Sequence, residues 1–157
     1  MKEANLSVAV KRACQTTHSA ESRQPWQNRL KTFDICRCDQ VWVGDSTYVR
    51  LKHRFAYVAL LMDVFTRRIR GWNLSQHLTQ SLTLHPLEQV LHNGVPEIHH
   101  SDQGAQYLSN AYISMLKQHG VEISVAHRGC PWENGYAERL IRTLKEEEVH
   151  LNDLGLT

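Results

Sequence analysis

The sequence predicts an α/β domain on a five-stranded mixed sheet, three antiparallel strands then two parallel ones, with helices covering its faces. Three observations carry this expectation. Apolar runs rich in β-branched and aromatic residues crowd residues 41–74, with short links between them. Beyond them, apolar stripes at helical spacing alternate with short strand-like runs. The 157 residues suffice for one such domain and its core, and are too few for two.

Residues 1–38 show no sustained period and read as a basic polar arm or linker. The first 40 residues hold seven Lys/Arg against four Asp/Glu, whereas residues 41–157 hold eleven against twelve, so the mild basic excess lies in the arm. Such an arm can meet phosphates without a strongly basic total, although a solvated tail has the same composition. Residues 39–153 read as the core domain.

VWVGDSTYV, FAYVALLMDVF and RRIRGWNL are the first three strand candidates and predict an antiparallel meander. Leu82, Leu84, Leu87, Val90 and Leu91 then fall on one helical stripe that Gly94 terminates, and Pro86 predicts a kink or a late start. PEIHHSD is a short buried strand opening into a loop. SNAYISMLKQHG is a helix with Ser109 as N-cap and Gly120 as its stop, and VEISVAH is the fifth strand. The last helix begins near Pro131 or Asn134 and runs to about Leu151, with Ala137, Leu140, Ile141, Leu144 and Glu148 along one side.

A hydrophobic fraction of 41% and a charged fraction of 22% exclude global disorder. No run reaches membrane-spanning length, and the first residues lack the apolar centre of a signal peptide, so a cytoplasmic protein without a membrane partner is expected. Cys14, Cys36, Cys38 and Cys130 fit no disulfide framework and read as reduced thiols. Cys14, His18, Cys36 and Cys38 make at most a marginal zinc set, because Cys-x-Cys is tighter than usual ligand spacing.

Three acids stand out. Asp45 lies inside the first strand among residues expected to be buried, where a carboxylate is costly unless paired or bound to a cation. Asp102 directly follows the fourth strand, at the carboxyl end where α/β sheets place their sites; Gln103 and Gly104 fit a loop there, although SDQG also fits a simple Asx-turn. Glu138 lies near the start of the last helix, with Arg142 and Lys145 four and seven residues further on the same face. An ordinary Glu138–Arg142 surface pair fits that spacing too. With six Asp and ten Glu in the chain, the 35 residues between Asp102 and Glu138 do not by themselves single out this pair. Converging carboxylates are nonetheless what two hard divalent cations need for phosphoryl transfer.

The words around these acids, VWVGDSTYV, YVALLMDVFTRRIRGW, HHSDQGAQY and RGCPWENGYAERLIRTLKEE, resemble the DDE transposases of bacterial insertion sequences, the B-frame type related to retroviral integrases. The resemblance covers about residues 39–153. It implies a ribonuclease H-like fold with Asp45, Asp102 and Glu138 as catalytic residues and metal ligands, and two Mg²⁺ or Mn²⁺ ions as cofactor. One ion would lie between Asp45 and Asp102 and the other between Asp45 and Glu138. The implied reaction is cleavage of transposon ends followed by 3′-hydroxyl strand transfer, on double-stranded DNA, by a homo-oligomer working at the nucleoid. Lys145 is implied as a contact to the terminal DNA and Asn134 as part of a mobile loop before the helix; Arg142, on the face of Glu138, and Arg139 are read as further DNA-binding residues.

Asp63 reads as a turn or ion-pair residue, His99 and His100 as structural or DNA-proximal, and Glu133 as a helix cap. Trp132 and Tyr136 suit either base stacking or core packing. Since relatives normally continue past LNDLGLT, residues 154–157 read as a truncated end. The alternatives are therefore an inactive remnant that at most binds DNA, or a simple ribonuclease H-like nuclease.

Overall fold

The computed structural model describes residues 26–51 and 54–153. The element order is β1 (Val41–Leu51), β2 (Arg54–Asp63), β3 (Ile69–Ser75), α1 (Gln80–Leu91), β4 (Ile98–Ser101), α2 (Asn110–Gln118), β5 (Glu122–Val125) and α3 (Gly135–Asp153), with a 3-10 turn over Pro131–Asn134 before α3. One five-stranded sheet runs in the order β3-β2-β1-β4-β5. β1 pairs antiparallel with β2 and parallel with β4, and β4 pairs parallel with β5. The expected mixed sheet is therefore present, with β1 at its centre.

Alternation along β1 assigns the two faces. Trp42 points into a cluster with Leu61, Leu87, Val90, Tyr107, Tyr112 and Leu116, which α1 and α2 close. Val41 and Val43 point the other way, toward Ala137, and Val49 joins Ala56, Val58 and Leu60 under Leu140, Ile141 and Leu144 of α3. Half burial of each of those three α3 side chains contributes roughly 1 kcal/mol. The same packing fixes the rotation of α3 and hence the direction of Glu138.

α1 begins at Gln80 and continues through Pro86, without the late start that the proline suggested. Pro86 lacks the N–H that would bond to the Leu82 carbonyl, and the Asn73 side-chain amide from β3 reaches that oxygen instead, at 3.4 Å. Gly71 lies where α1 crosses β3: a Cβ there would stand 2.8 Å from Val90 Cγ1. α2 carries the expected cap, Ser109 Oγ accepting from the Tyr112 N–H, and stops at Gly120 with φ +71°.

Residues 26–40 have neither helix nor strand, yet Trp26 packs against one core face and Leu30, Phe33 and Ile35 against the other. Cys36 and Cys38 are exposed free thiols, while Cys14 and His18 of the marginal zinc set lie outside the described residues. No described helix is long and apolar enough to cross a membrane.

Candidate active site

The parallel ladder between β1 and β4 ends on Gly44 opposite Ser101. Asp45 and Asp102 are the next residue on each side, so both follow the same rung. By alternation they share the face of Val43, which is the face α3 covers. Glu138 enters from the first turn of α3.

Asp45 is half-buried, and its Oδ1 accepts the Ser46 N–H at 2.7 Å. Burial, opposed by that N–H and reinforced by the charges of Asp102 and Glu138, lifts its pKa from 3.8 to about 6, while Lys145 pulls it back down. Three charged side chains, one following β4 and two on α3, thus act on Asp45. Asp102 is exposed, and its Oδ1 accepts the Gly104 N–H at 2.8 Å. A Cβ on Gly104 would stand 2.9 Å from that oxygen, so the glycine keeps the turn open for the carboxylate.

Glu138 and Arg142 are exposed, and Lys145 is half-buried with Nζ 4.6 Å from the centre of the Tyr48 ring. Arg139 is exposed and borders a groove with Tyr136. Asn134 is 4% exposed, sits at the end of the 3-10 turn, and its Oδ1 has no partner among the described residues. Among the described residues, no three His, Cys, Asp or Glu side chains are drawn close enough to form a metal cage.

Beneath the two aspartates lies a floor of rings. Tyr112 meets His99 and Tyr107 edge-on with centroids 5.3 Å apart, His99 and Tyr107 are tilted at 6.2 Å, and the Tyr112 hydroxyl is 2.9 Å from His99 Nε2. Gly44 makes room for this floor, since a Cβ there would meet Tyr107 Cε1 at 2.9 Å and His99 Nε2 at 3.0 Å. Burial holds the His99 pKa down at about 3, helped by neighbouring His100. The Tyr107 hydroxyl is buried near Ser46, Asp45 and Asp102, but no hydrogen bond to a described residue is completed. Burial, with the nearby Tyr112, Asp45 and Asp102, keeps it firmly protonated.

His100 is also buried and neutral, its pKa lowered by burial to about 4. Its Nε2 faces the Glu133 carbonyl at 3.1 Å and must donate, which leaves Nδ1 to accept from Ser124 Oγ at 2.8 Å. Ser124 Oγ in turn accepts the Arg29 N–H at 2.9 Å. Both histidines are therefore structural.

Glu133 does not cap the turn. Its carboxylate gathers the His127 N–H and Nδ1, Asn28 Nδ2 and Lys31 Nζ, at 2.7–3.0 Å, and is only 6% exposed. The His127 backbone N–H, then Lys31 and the His127 ring, hold its pKa far below the usual carboxylate range. Asp63 is fully buried and closes the β2–β3 turn, accepting from Thr66 N and Oγ1 and from Asp39 N. Of the expected residues, the structure thus brings Asp45, Asp102, Glu138 and Lys145 into one field and leaves Arg139 outside it. Asn28, Lys31 and Tyr107 had no sequence signal, because their partners are distant in the chain.

The sequence profile of the integrase core domain matches residues 37–131. The chain is 40% identical over 122 residues to the transposase for insertion sequence element IS629 of Shigella sonnei, covering 76% of this chain and 41% of that protein. It is 36% identical over 121 residues to the IS904 transposase of Lactococcus lactis subsp. lactis, covering 75% and 48%. It is 34% identical over 115 residues to transposase InsF for IS3A of Escherichia coli, covering 71% and 40%. The chain thus spans less than half the length of these relatives.

Among solved structures, the fold matches the HTLV-2 integrase catalytic core domain, determined in complex with magnesium, with a TM-score of 0.60 at 19% identity over 74% of each chain. The catalytic core of BIV integrase matches with a TM-score of 0.59 at 16% identity, over 73% of this chain and 72% of that one. The sheet and its helices have the ribonuclease H-like fold of those cores.

Proposed function

The chain belongs to the integrase core domain family, and on that premise we propose that it is the catalytic core of an insertion-sequence transposase that cleaves transposon ends and joins the freed 3′-hydroxyl to target DNA. The observation that carries this is the shared field at Asp45, where Asp102 from the end of β4 and Glu138 and Lys145 from α3 act on a half-buried acid. A carboxylate held unfavourably by two others gains most from a divalent cation.

The donor set fits Mg²⁺ or Mn²⁺: the candidate ligands are carboxylate oxygens, the preferred donors of hard cations. Asp45 would serve both of two ions, with Asp102 completing one site and Glu138 the other. When bound, such ions stabilise charge on the phosphate and increase the acidity of the attacking water or hydroxyl.

The protein's own contribution is placement. β1 and β4 fix the two aspartates on adjacent strands, and the Gly104 N–H orients Asp102. α3 presents Glu138, Arg142 and Lys145 on one flank, a ligand beside two phosphate-binding cations. Arg139 and Asn134 would meet DNA elsewhere along the same helix and turn. Water serves as nucleophile in cleavage and a DNA 3′-hydroxyl in joining, each in line with its leaving oxygen. Two DNA ends processed together call for a homo-oligomer on double-stranded DNA, in the bacterial cytoplasm.

The test is nicking and strand transfer on a duplex carrying the element's own terminus, in Mn²⁺ or Mg²⁺. Asp102→Asn and Glu138→Gln should each abolish both reactions while leaving the melting curve two-state. Undiminished activity in either variant would refute the assignment.

A further inference from the structure

On the flank of α3 away from Glu138, an open groove of about 520 Å³ runs between the helix, the 3-10 turn, the β2–β3 turn and the segment around Asn28, lined by Lys31, Arg67, Trp132, Glu133, Tyr136 and Arg139 among others. At 100° per residue, Tyr136 lies about 160° around α3 from Glu138 and about 180° from Lys145, while Arg139 and Arg142 share the exposed ridge between those two flanks. None of Asp45, Asp102, Glu138 and Lys145 lines the groove, and Arg139 borders it from the ridge next to Glu138.

Its chemistry is that of an aromatic and cationic platform. Trp132 is 71% exposed, the most exposed of the large apolar side chains described, and Tyr136 is 37% exposed. Arg67 lies over the Tyr136 ring, Cζ 4.6 Å from its centre. The ion pair of Lys31 with Glu133, at 2.7 Å, leaves Arg67 and Arg139 with no carboxylate partner among the described residues. The groove thus keeps a positive excess beside an uncovered indole.

The position of Arg67 is built into the backbone. Its φ of +63° is a left-handed conformation that a glycine would adopt with less strain. Its N–H donates to the Asp63 carbonyl at 2.9 Å, and the buried Asp63 carboxylate holds Thr66 beside it. That turn aims the guanidinium at Tyr136. The Glu133 hub fixes the opposite wall.

We propose that this groove binds single-stranded DNA, a base stacking on Trp132 while neighbouring phosphates meet Arg67 and Arg139. Stacking on an exposed indole requires an unpaired base, and flanking cations suit the charged backbone of the same strand. The volume suits a nucleotide-sized segment. Resting on the reading of the acids as the reaction centre, this assigns the two flanks of α3 to two strands of one DNA end. The reacting strand lies along Glu138 and Lys145, and its unpaired partner lies in the groove.

Fluorescence anisotropy with a labelled mixed-sequence 12-mer, single-stranded or as a blunt duplex, tests this on the full chain. Trp132→Ala and the pair Arg67→Ala/Arg139→Ala should each weaken single-strand binding about tenfold and duplex binding much less. The arginine pair should also flatten the salt dependence of single-strand binding by about one logarithmic unit per decade of salt. Trp132→Phe, which keeps a stacking face, should recover most of the affinity. Single-strand affinity unchanged in both variants, or single-strand and duplex affinity falling equally, would overturn the proposal. So would a loss that the thermal melt attributes to unfolding of Trp132→Phe and Trp132→Ala alike. Asp102→Asn separates the two readings: it should leave single-strand binding intact, and normal nicking by Asp102→Asn would sink the reaction centre while leaving the groove standing.

Discussion

Asp45 and Asp102 each stand one residue beyond the last rung of the β1–β4 parallel ladder, Gly44 opposite Ser101. Two acids 57 positions apart in sequence number are thereby set on adjacent strands of a central sheet. The half-buried Asp45 is the more strained of the two. Its pKa near 6 records burial first and the charges of Asp102 and Glu138 afterwards.

That strain is measurable without DNA. A folded-state pKa raised from 3.8 to about 6 means that ionised Asp45 destabilises the fold at neutral pH, and the penalty fades as pH falls through 6 and the carboxyl protonates. In EDTA at pH 7.5, Asp45→Asn should gain ~2–3 kcal/mol in urea denaturation, and the gain should shrink toward pH 5. An amide oxygen at 45 still accepts the Ser46 N–H. Equal stability at pH 7.5 would contradict the assigned strain.

His99 and His100 act in the opposite sense. Their pKa values, about 3 and about 4, lie below the ordinary 6.5, so both stay neutral in the fold while the unfolded chain takes up protons below pH 6.5. Stability from this source is complete above pH 6.5 and drops by ~2 kcal/mol per histidine on reaching pH 5. The Asp45→Asn background removes the opposing contribution of that acid. A flat stability profile from pH 7.5 to 5 in this background would be inconsistent with two buried neutral imidazoles.

Gly44 admits the aromatic floor beneath the aspartates. Gly44→Ala would place a Cβ 2.9 Å from the Tyr107 ring and 3.0 Å from His99 Nε2. Overpacking of this kind should cost ~1–3 kcal/mol, read as a lower urea midpoint with an unchanged m-value. Full stability of the variant would mean that the floor gives way easily.

Tyr107→Phe addresses the same floor from the other side. It removes a buried hydroxyl with no hydrogen-bond partner among the described residues and leaves the ring in place. Stability should stay level or rise by ~1 kcal/mol. A loss of more than that would reveal a partner for the hydroxyl.

Much of this architecture was legible in the sequence because it rests on local pattern. Apolar runs rich in β-branched and aromatic residues mark the strands, Ser109 and Gly120 bound α2, and the order of elements follows. Asp102 was placed at a strand end for the same reason. Pro86 misled the start of α1 because its missing hydrogen bond is offset by Asn73, on another element. The role of residues 26–31 was hidden for a similar cause: Asn28 and Lys31 meet Glu133 across the whole domain, and no periodicity records such contacts. Glu133 read as a cap because a cap is the local use of an acid before a helix. Helical geometry places Arg139 on the exposed ridge of α3, but the groove beside it needed the β2–β3 turn to be in place.

The account turns on Asp45, Asp102 and Glu138 acting together on divalent cations. Calorimetric titration of the DNA-free chain with Mn²⁺, alongside Asp45→Asn, Asp102→Asn and Glu138→Gln, tests this most directly. Mn²⁺ should bind the unsubstituted chain and raise its melting temperature. Asp45→Asn should lose both effects, and the other two should each weaken binding at least tenfold. Identical Mn²⁺ binding in the unsubstituted chain and in Asp45→Asn would contradict the shared site.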